Sequence, residues 1–537
     1  MKIIIDGVCT ILKQACRAYD LIPESKQMSI YAVVFNGKLK NLDFLIDEDG
    51  TLEWVYADSD IGCQIYERTL CFLFTVAIHR LYPNSHVLIE HALSNGFFCT
   101  VEDKQYITPK DVLKIQKEMH KLVECKLPIE RIVMETTKAC QLFKQIGKMN
   151  TALLLKNRDS ETSSVYLLDD VYDYYYGIVL PNTRYLTHFT LRYYAPGIWL
   201  SQQDVFVNQV KMFRVFREFE EWGKCIGVSE VAELNEKIIQ GKLDELVLMS
   251  ETMAEKKLEE ITVDIVTNHP DTRFILFAGP SSAGKTTFSK RLAIHLKIHG
   301  KKPIAISMDD FYKNRSECKK LPDGNYDFDS VDAIDIKLFN ETLLSLLHGV
   351  PTTMPRYNFK TGKREWKDTP LQMREEQILV IEGIHGLNPI TSTYIPETAK
   401  YRIYINALTH LNLDDHNRVS TSDYRLLRRI TRDHQFRGWS AANTIKFWKN
   451  VRDAENRYIY PYQEEADMIF NSSMVYELSI IKSIVVPLLK EVKKEEPEYL
   501  EANRLCKLMD YFVNGETKAI PRFSILAEFI GDSIFDL

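Results

Sequence analysis

Eight consecutive residues, Gly279-Pro-Ser-Ser-Ala-Gly-Lys285-Thr286, have the types and spacing to hold a phosphate group. The glycines let successive backbone N–H groups turn toward one centre, the lysine brings a mobile positive charge, and the threonine hydroxyl suits Mg²⁺. An apolar run at 274–278 precedes the loop and an amphipathic stretch at 288–299 follows it. The helix expected there would point its positive end at the same anion. The segment therefore predicts binding of a nucleoside triphosphate, through Gly279, Ser281, Ser282, Ala283, Gly284, Lys285, Thr286 and Thr287. By itself it leaves the reaction open.

Further chemistry lies downstream. Asp309 and Asp310 directly follow a second expected strand at 303–307, and Glu382 follows the apolar run 378–381. In parallel sheets the groups that meet ligands gather at the carboxyl ends of strands, where an acid can take a hydroxyl proton or help order Mg²⁺. Thr286 and Glu382 are the expected metal-associated pair. His385 lies just beyond Glu382, as a substrate contact or a structural histidine. Tyr357 and Phe359 alternate beside basic residues, as a stacking site for a ring or as an ordinary hairpin. Arg425, Arg428 or Arg429, and Arg432 recur at helical spacing, which would align them on one face to neutralise a transferred phosphoryl group, or on a solvated one.

These groups need a scaffold, and the chain is long enough for several domains. It has 537 residues, 45% hydrophobic and 26% charged, the balance of a soluble globular protein. A net charge of −6 carries no overall electrostatic footprint for nucleic acid. The ten cysteines are scattered without a Cys-x-x-Cys pair, as expected of reduced thiols in a cytoplasmic protein. No apolar run is expected to cross a bilayer. Residues 1–60 read as a small strand-rich module, 61–225 as an α+β domain and 226–265 as a helical connector, with the charged stretch 228–262 suited to an exposed helix. Residues 266–480 read as an α/β domain with a parallel sheet covered on both faces, and 481–537 as a helical extension whose apolar tail packs back.

Taken together, the Gly279–Thr286 loop, the Asp309-Asp310-Phe311-Tyr312 segment, Tyr357-x-Phe359, Ile381-Glu382-Gly383 and the Arg-Arg-x-x-Arg-Asp run at 428–433 make residues 270–480 resemble the uridine kinase and phosphoribulokinase family of P-loop kinases. That resemblance implies that Asp309 is the general base for a ribose 5′-hydroxyl, with Lys285 on the phosphates and Thr286 and Glu382 at Mg²⁺. It places Arg429, Arg432 and Arg437 in the lid, and Tyr312, Tyr357 and Phe359 beside the nucleoside. The family's base-reading histidine falls here on Gly362, and an arginine after the lid glycine falls on Trp439.

The first half resembles a TGS module, of β-grasp type, followed by the second additional domain of threonyl-tRNA synthetase. The carrying segments are Ile65-Tyr66-Glu-Arg-Thr through His79-Arg-Leu-Tyr-Pro83, Glu90-His91 to Gly96-Phe-Phe, and Leu180-Pro-Asn-Thr183. In that family a His pair and a Cys/His pair form an editing centre. Here they register on Arg68 and Phe72, and on Tyr175 and Val179, so neither zinc nor editing is expected. What remains is a scaffold that is regulatory or binds RNA or a small ligand.

The leading expectation is an ATP- or GTP-dependent kinase of the uridine or cytidine 5′-hydroxyl that needs Mg²⁺. A second keeps the transfer but changes the acceptor to another nucleoside or a sugar phosphate. A third, of another class, is a nucleotide-switched protein that binds tRNA or the ribosome. A nucleoside and a nucleoside triphosphate are the expected partners, with homo-oligomers open, and no membrane or nucleic acid.

Overall fold

Every residue of the strand Phe274–Ala278 is buried, which requires cover on both faces of its sheet. The two-residue period of a strand divides the work. Phe274 and Leu276 pack with Phe339, Leu343 and Leu346 of the helix Ile336–Leu347, while Ile275 and Phe277 join Phe288 and Leu292 of the helix Lys285–Ile298. The computed structural model describes residues 1–102, 107–320, 326–327, 330–358 and 360–535.

Five parallel strands form the sheet, in the order Lys302–Ser307, Gln377–Glu382, Phe274–Ala278, Lys400–Asn406 and Met468–Asn471. The strand that comes first in sequence is therefore the middle one. Its register pairs Phe277 with Glu382, and Glu382 with Ser307, so three neighbouring strands end level. The phosphate loop, Glu382 and the Asp309 segment leave the sheet at one edge, the crevice where such sheets bind ligands.

In the first half, a five-stranded mixed sheet runs Val8–Ile11, Lys2–Ile5, Gly50–Tyr56, Ile30–Phe35 and Lys38–Lys40. Beyond it lie a four-stranded and a three-stranded antiparallel sheet. The helix Asp60–Leu81, capped by the Ser59 hydroxyl on the Gly62 N–H, runs through this half. Its length and composition would suffice for a membrane span, contrary to the sequence expectation, but most of it is buried among the neighbouring sheets as a core helix.

The stretch 228–262 also differs from expectation. It forms two helices, Val231–Ile239 and Leu243–Val263, and the second is far from fully exposed. Leu246, Leu258 and Ile261 share a core with Phe288 and Leu292, and Glu255 holds both Arg291 and His295 of the phosphate-loop helix. Glu255 and Glu259, two of the charges that suggested a solvated helix, are engaged by this neighbouring helix, while Asp244, Glu245 and Lys256 stay exposed.

The four positions registered on an editing centre lie close together. Phe72 packs on Tyr175 with ring centroids 5.4 Å apart, and Arg68 Nη1 donates to the Ile178 carbonyl at 2.7 Å. Among the described residues, one group in this half has metal-ligand spacing: Glu90, His91 and Glu220. The Arg217 guanidinium lies 3.3 Å from Glu90 and 3.1 Å from Glu220 and supplies the charge a cation would otherwise bring.

Candidate active site

The loop is shaped for backbone donation. Ser282 and Gly284 sit at φ 58° and 79°, left-handed values that turn neighbouring N–H groups inward. A Cβ on Gly279 would stand 2.1 Å from the Ile405 carbonyl oxygen, and one on Gly284 would stand 2.5 Å from Ile525 Cγ2. Gly284→Ala therefore combines an unfavourable φ with a clash against a buried side chain. We expect it to cost about 1–3 kcal/mol in urea unfolding and to abolish triphosphate binding.

Lys285 Nζ folds over the loop and donates to the Gly279 and Pro280 carbonyls at 2.9 and 3.0 Å. Burial lowers its pKa, and Glu382 acts against that shift. Thr286 is half-buried beside it, and Ala283 is enclosed. The hydroxyl of Thr286 and the carboxylate of Glu382 are hard oxygen donors at the same sheet edge, a set that fits Mg²⁺.

Asp309 follows the Lys302–Ser307 strand in a short turn, in which its N–H is held by the Ser307 hydroxyl at 3.3 Å. Its pKa is pushed up to about 6, first by burial and then by the Glu382 charge, while Lys285 and a hydrogen bond from Tyr312 act against the shift. A carboxyl poised there is deprotonated near neutrality yet basic enough to accept a proton. Asp310 turns elsewhere. It accepts the Tyr357 N–H at 3.3 Å and pairs with Lys367 at 3.7 Å, so it anchors the hairpin.

The arginines divide by depth, which the sequence spacing does not show. Arg425 and Arg428 are fully enclosed, Arg425 bidentate on Glu455 and Arg428 on Glu477. Each also donates to one loop carbonyl, Arg425 to Ser281 and Arg428 to Ser282, so they brace the loop instead of facing solvent or substrate. Arg429 reaches the Ser281 hydroxyl at 2.7 Å, and Arg437, half exposed, pairs with Asp433 at 3.2 Å. Arg432 lies 3.9 Å from Glu528.

Other expected contacts are less open than their sequence suggests. Tyr312 and Tyr357 pack edge to face, 5.4 Å apart, within the core that holds Phe311 and Phe339. His385 is enclosed, with Tyr458 at 5.6 Å. Phe359 lies outside the described residues. These tyrosine rings support the turn that carries Asp309 instead of forming an exposed platform.

Glu528 was not anticipated. Its buried carboxylate accepts from Thr287 N at 3.2 Å and from Thr287 Oγ1 at 2.9 Å, two donors at the start of the phosphate-loop helix. A phosphate would seek the same donors. Glu528→Gln should thus tighten triphosphate binding several-fold in a fluorescence titration; weaker binding would mean that the charge is needed to orient Thr287. No local motif marks Glu528, because its partner is 241 residues away.

The comparisons with known proteins follow the two halves. The model of the "Phosphoribulokinase / Uridine kinase family" matches residues 274–479, less than half of the chain. The amino-terminal region is similar to Threonine--tRNA ligase 1 of Bacillus subtilis, 34% identical over 183 residues, which are 34% of this chain and 28% of that protein. The chain thus spans little more than a quarter of that relative's length. Among solved structures, a possible uridine kinase from Bacillus stearothermophilus is 18% identical, with a TM-score of 0.26 over 37% of this chain and 89% of its own. D-glycerate 3-kinase from Cryptococcus neoformans is 12% identical, with a TM-score of 0.21 over 49% and 87%. With the loop, the strand-end acids and the family match all on one parallel sheet, residues 274–479 form a P-loop kinase domain of the phosphoribulokinase and uridine kinase family.

Proposed function

We propose that the chain transfers the terminal phosphoryl group of ATP or GTP to the 5′-hydroxyl of a pyrimidine nucleoside, uridine or cytidine, with Asp309 as general base. The observation that carries this reading is the Asp309 carboxyl, half-buried at a strand end with Glu382 and Lys285 as its charged neighbours. On this reading Lys285 and the loop N–H groups hold the donor phosphates. Arg429 and Arg432 approach the transferred group, Arg437 covers the donor, and Asp309 takes the proton of the attacking hydroxyl. Mg²⁺, held through Thr286 and Glu382, would offset charge on the phosphate oxygens. The enclosed Arg425 and Arg428 keep the loop in shape.

A specific observation favours a second acceptor class. Gly362, where the family reads the base, has no side chain, and a Cβ there would stand 2.8 Å from Arg315 Nε. That guanidinium is hydrogen-bonded to the Tyr357 side chain, and its charge would still suit an anionic acceptor such as a sugar phosphate. A panel of nucleosides and sugar phosphates with γ-labelled ATP tests both. Turnover of uridine or cytidine supports the first reading, turnover of sugar phosphates alone supports the second, and no transfer to any acceptor sinks both.

A further inference from the structure

A cavity of about 330 Å³ lies between the Lys38–Lys40 edge of the first sheet, the helix Asp60–Leu81 and the helix Tyr499–Met509, away from the phosphate loop. Six cations line it: Arg504, which is paired with acids, and five others, Lys40, Arg68, Arg131, Arg158 and Lys507. Among the described residues none of the five forms an ion pair. Arg68 donates to a carbonyl, Arg131 to the Ser164 hydroxyl at 3.1 Å and Arg158 to the Tyr174 hydroxyl at 3.1 Å, while Arg158 Nε is buried without a partner.

The acids nearby do not cancel this charge. Glu501 also lines the cavity but is engaged by Arg504, which is bidentate on Asp423 as well. Asp510 acts on Lys507 and Arg158 from a distance. The lysines feel the excess. Beyond burial, Lys38 and Arg131 lower the pKa of Lys40, with Glu48 acting against them, and Lys40, Lys38 and Arg158 lower that of Lys507. Folding has gathered like charges at a cost of mutual repulsion, and an anion would relieve it.

The remaining wall is aromatic. Tyr166, Tyr175, Tyr176 and Tyr511 line it, with the Arg68 guanidinium 5.3 Å from the Tyr176 ring centroid and Arg158 4.9 Å from that of Tyr511. Two of the positions that register on an editing centre, Arg68 and Tyr175, are among these residues. Groups that could ligate zinc or activate water are thus replaced by a cation and a phenol, which bind and do not hydrolyse.

We propose that this cavity is a binding site for a phosphate-bearing small molecule of mononucleotide size, its phosphate among the five cations and its ring against the tyrosine wall. The volume lies in the range of small-ligand pockets and holds one nucleotide, not a strand. Arginine suits the phosphate because its fork matches two oxygens at once. The proposal is independent of the acceptor of the kinase domain.

The test is calorimetric titration of the full chain with uridine, cytidine, adenosine and guanosine 5′-monophosphates at physiological salt, in the wild type and in an Arg131→Glu/Lys507→Glu double variant. Arg131 and Lys507 are exposed, so the double variant should keep its melting temperature. Saturable binding of at least one monophosphate, weakened at least about tenfold in the double variant, is expected. Single replacements Arg131→Gln and Lys507→Gln should each give an intermediate loss. The proposal is overturned if no monophosphate binds at about 1 mM, if binding is unchanged in the double variant and so belongs to the kinase domain, or if tRNA alone binds through these residues.

Discussion

Asp309→Asn is expected to lower turnover by about 10²–10⁴-fold, the usual worth of a positioned general base, while triphosphate affinity stays within a few-fold. The amide is nearly isosteric and keeps the turn built on Ser307, so the fold should survive. The wild type should show the same dependence in its pH profile. A base must be deprotonated, and the Asp309 carboxyl is pushed up to about 6, so kcat/KM should be level above pH 7 and fall about tenfold per unit below 6. An unperturbed carboxylate would hold the rate down to about pH 4. Initial rates with saturating triphosphate between pH 4.5 and 8 check this. Full activity of the amide variant would remove Asp309 from the mechanism, and an acid limb near 4 would remove its raised pKa.

The second large effect is on stability. Glu477→Ala leaves the Arg428 guanidinium, wholly enclosed, without its counter-charge, and breaking such a buried pair costs about 3–5 kcal/mol. Chemical unfolding should register that loss, and triphosphate binding should weaken with it because Arg428 also holds the Ser282 and Ser472 carbonyls. The pair Arg428→Met/Glu477→Leu separates the two roles. Replacing both charges by apolar groups of similar size should recover most of the stability, since the desolvation cost of both ions disappears. The loop would still lack its brace, so triphosphate affinity should remain several-fold low. If the double variant binds as well as the wild type, the arginine serves packing alone.

The parts of the fold that are local were the parts the sequence made legible. The strands from Phe274 and Ile378 announce themselves as unbroken apolar runs, that from Tyr401 as a run interrupted by Arg402, and the phosphate loop as a motif, because each depends on residues within a dozen positions. The arginine row was legible as a helix face but not in its depth. Arg425 and Arg428 are buried because Glu455 and Glu477 arrive from other helices, and no spacing within 421–437 reveals those partners. The same holds for the stretch 228–262, whose glutamates looked solvated until Arg291 and His295 met them. Glu528 is the extreme case, a single acid in an unmarked segment. The cationic cavity needed three separate parts of the chain to assemble before its unpaired charge could be seen.

The contact between Glu528 and Thr287 also sets a schedule. The ribosome makes the phosphate loop first and reaches Glu528 241 residues later, a delay of roughly 10–50 s at ordinary elongation rates. Throughout that interval Gly284 lacks the Ile525 side chain that later packs on it, and the first turn of the loop helix lacks its carboxylate. The kinase sheet can collapse early, since its strands are all complete by Asn471, but the floor of the phosphate site is laid only when the segment around 525–530 arrives. Nascent chains stalled before residue 520 should therefore hold a folded sheet and an unfinished loop.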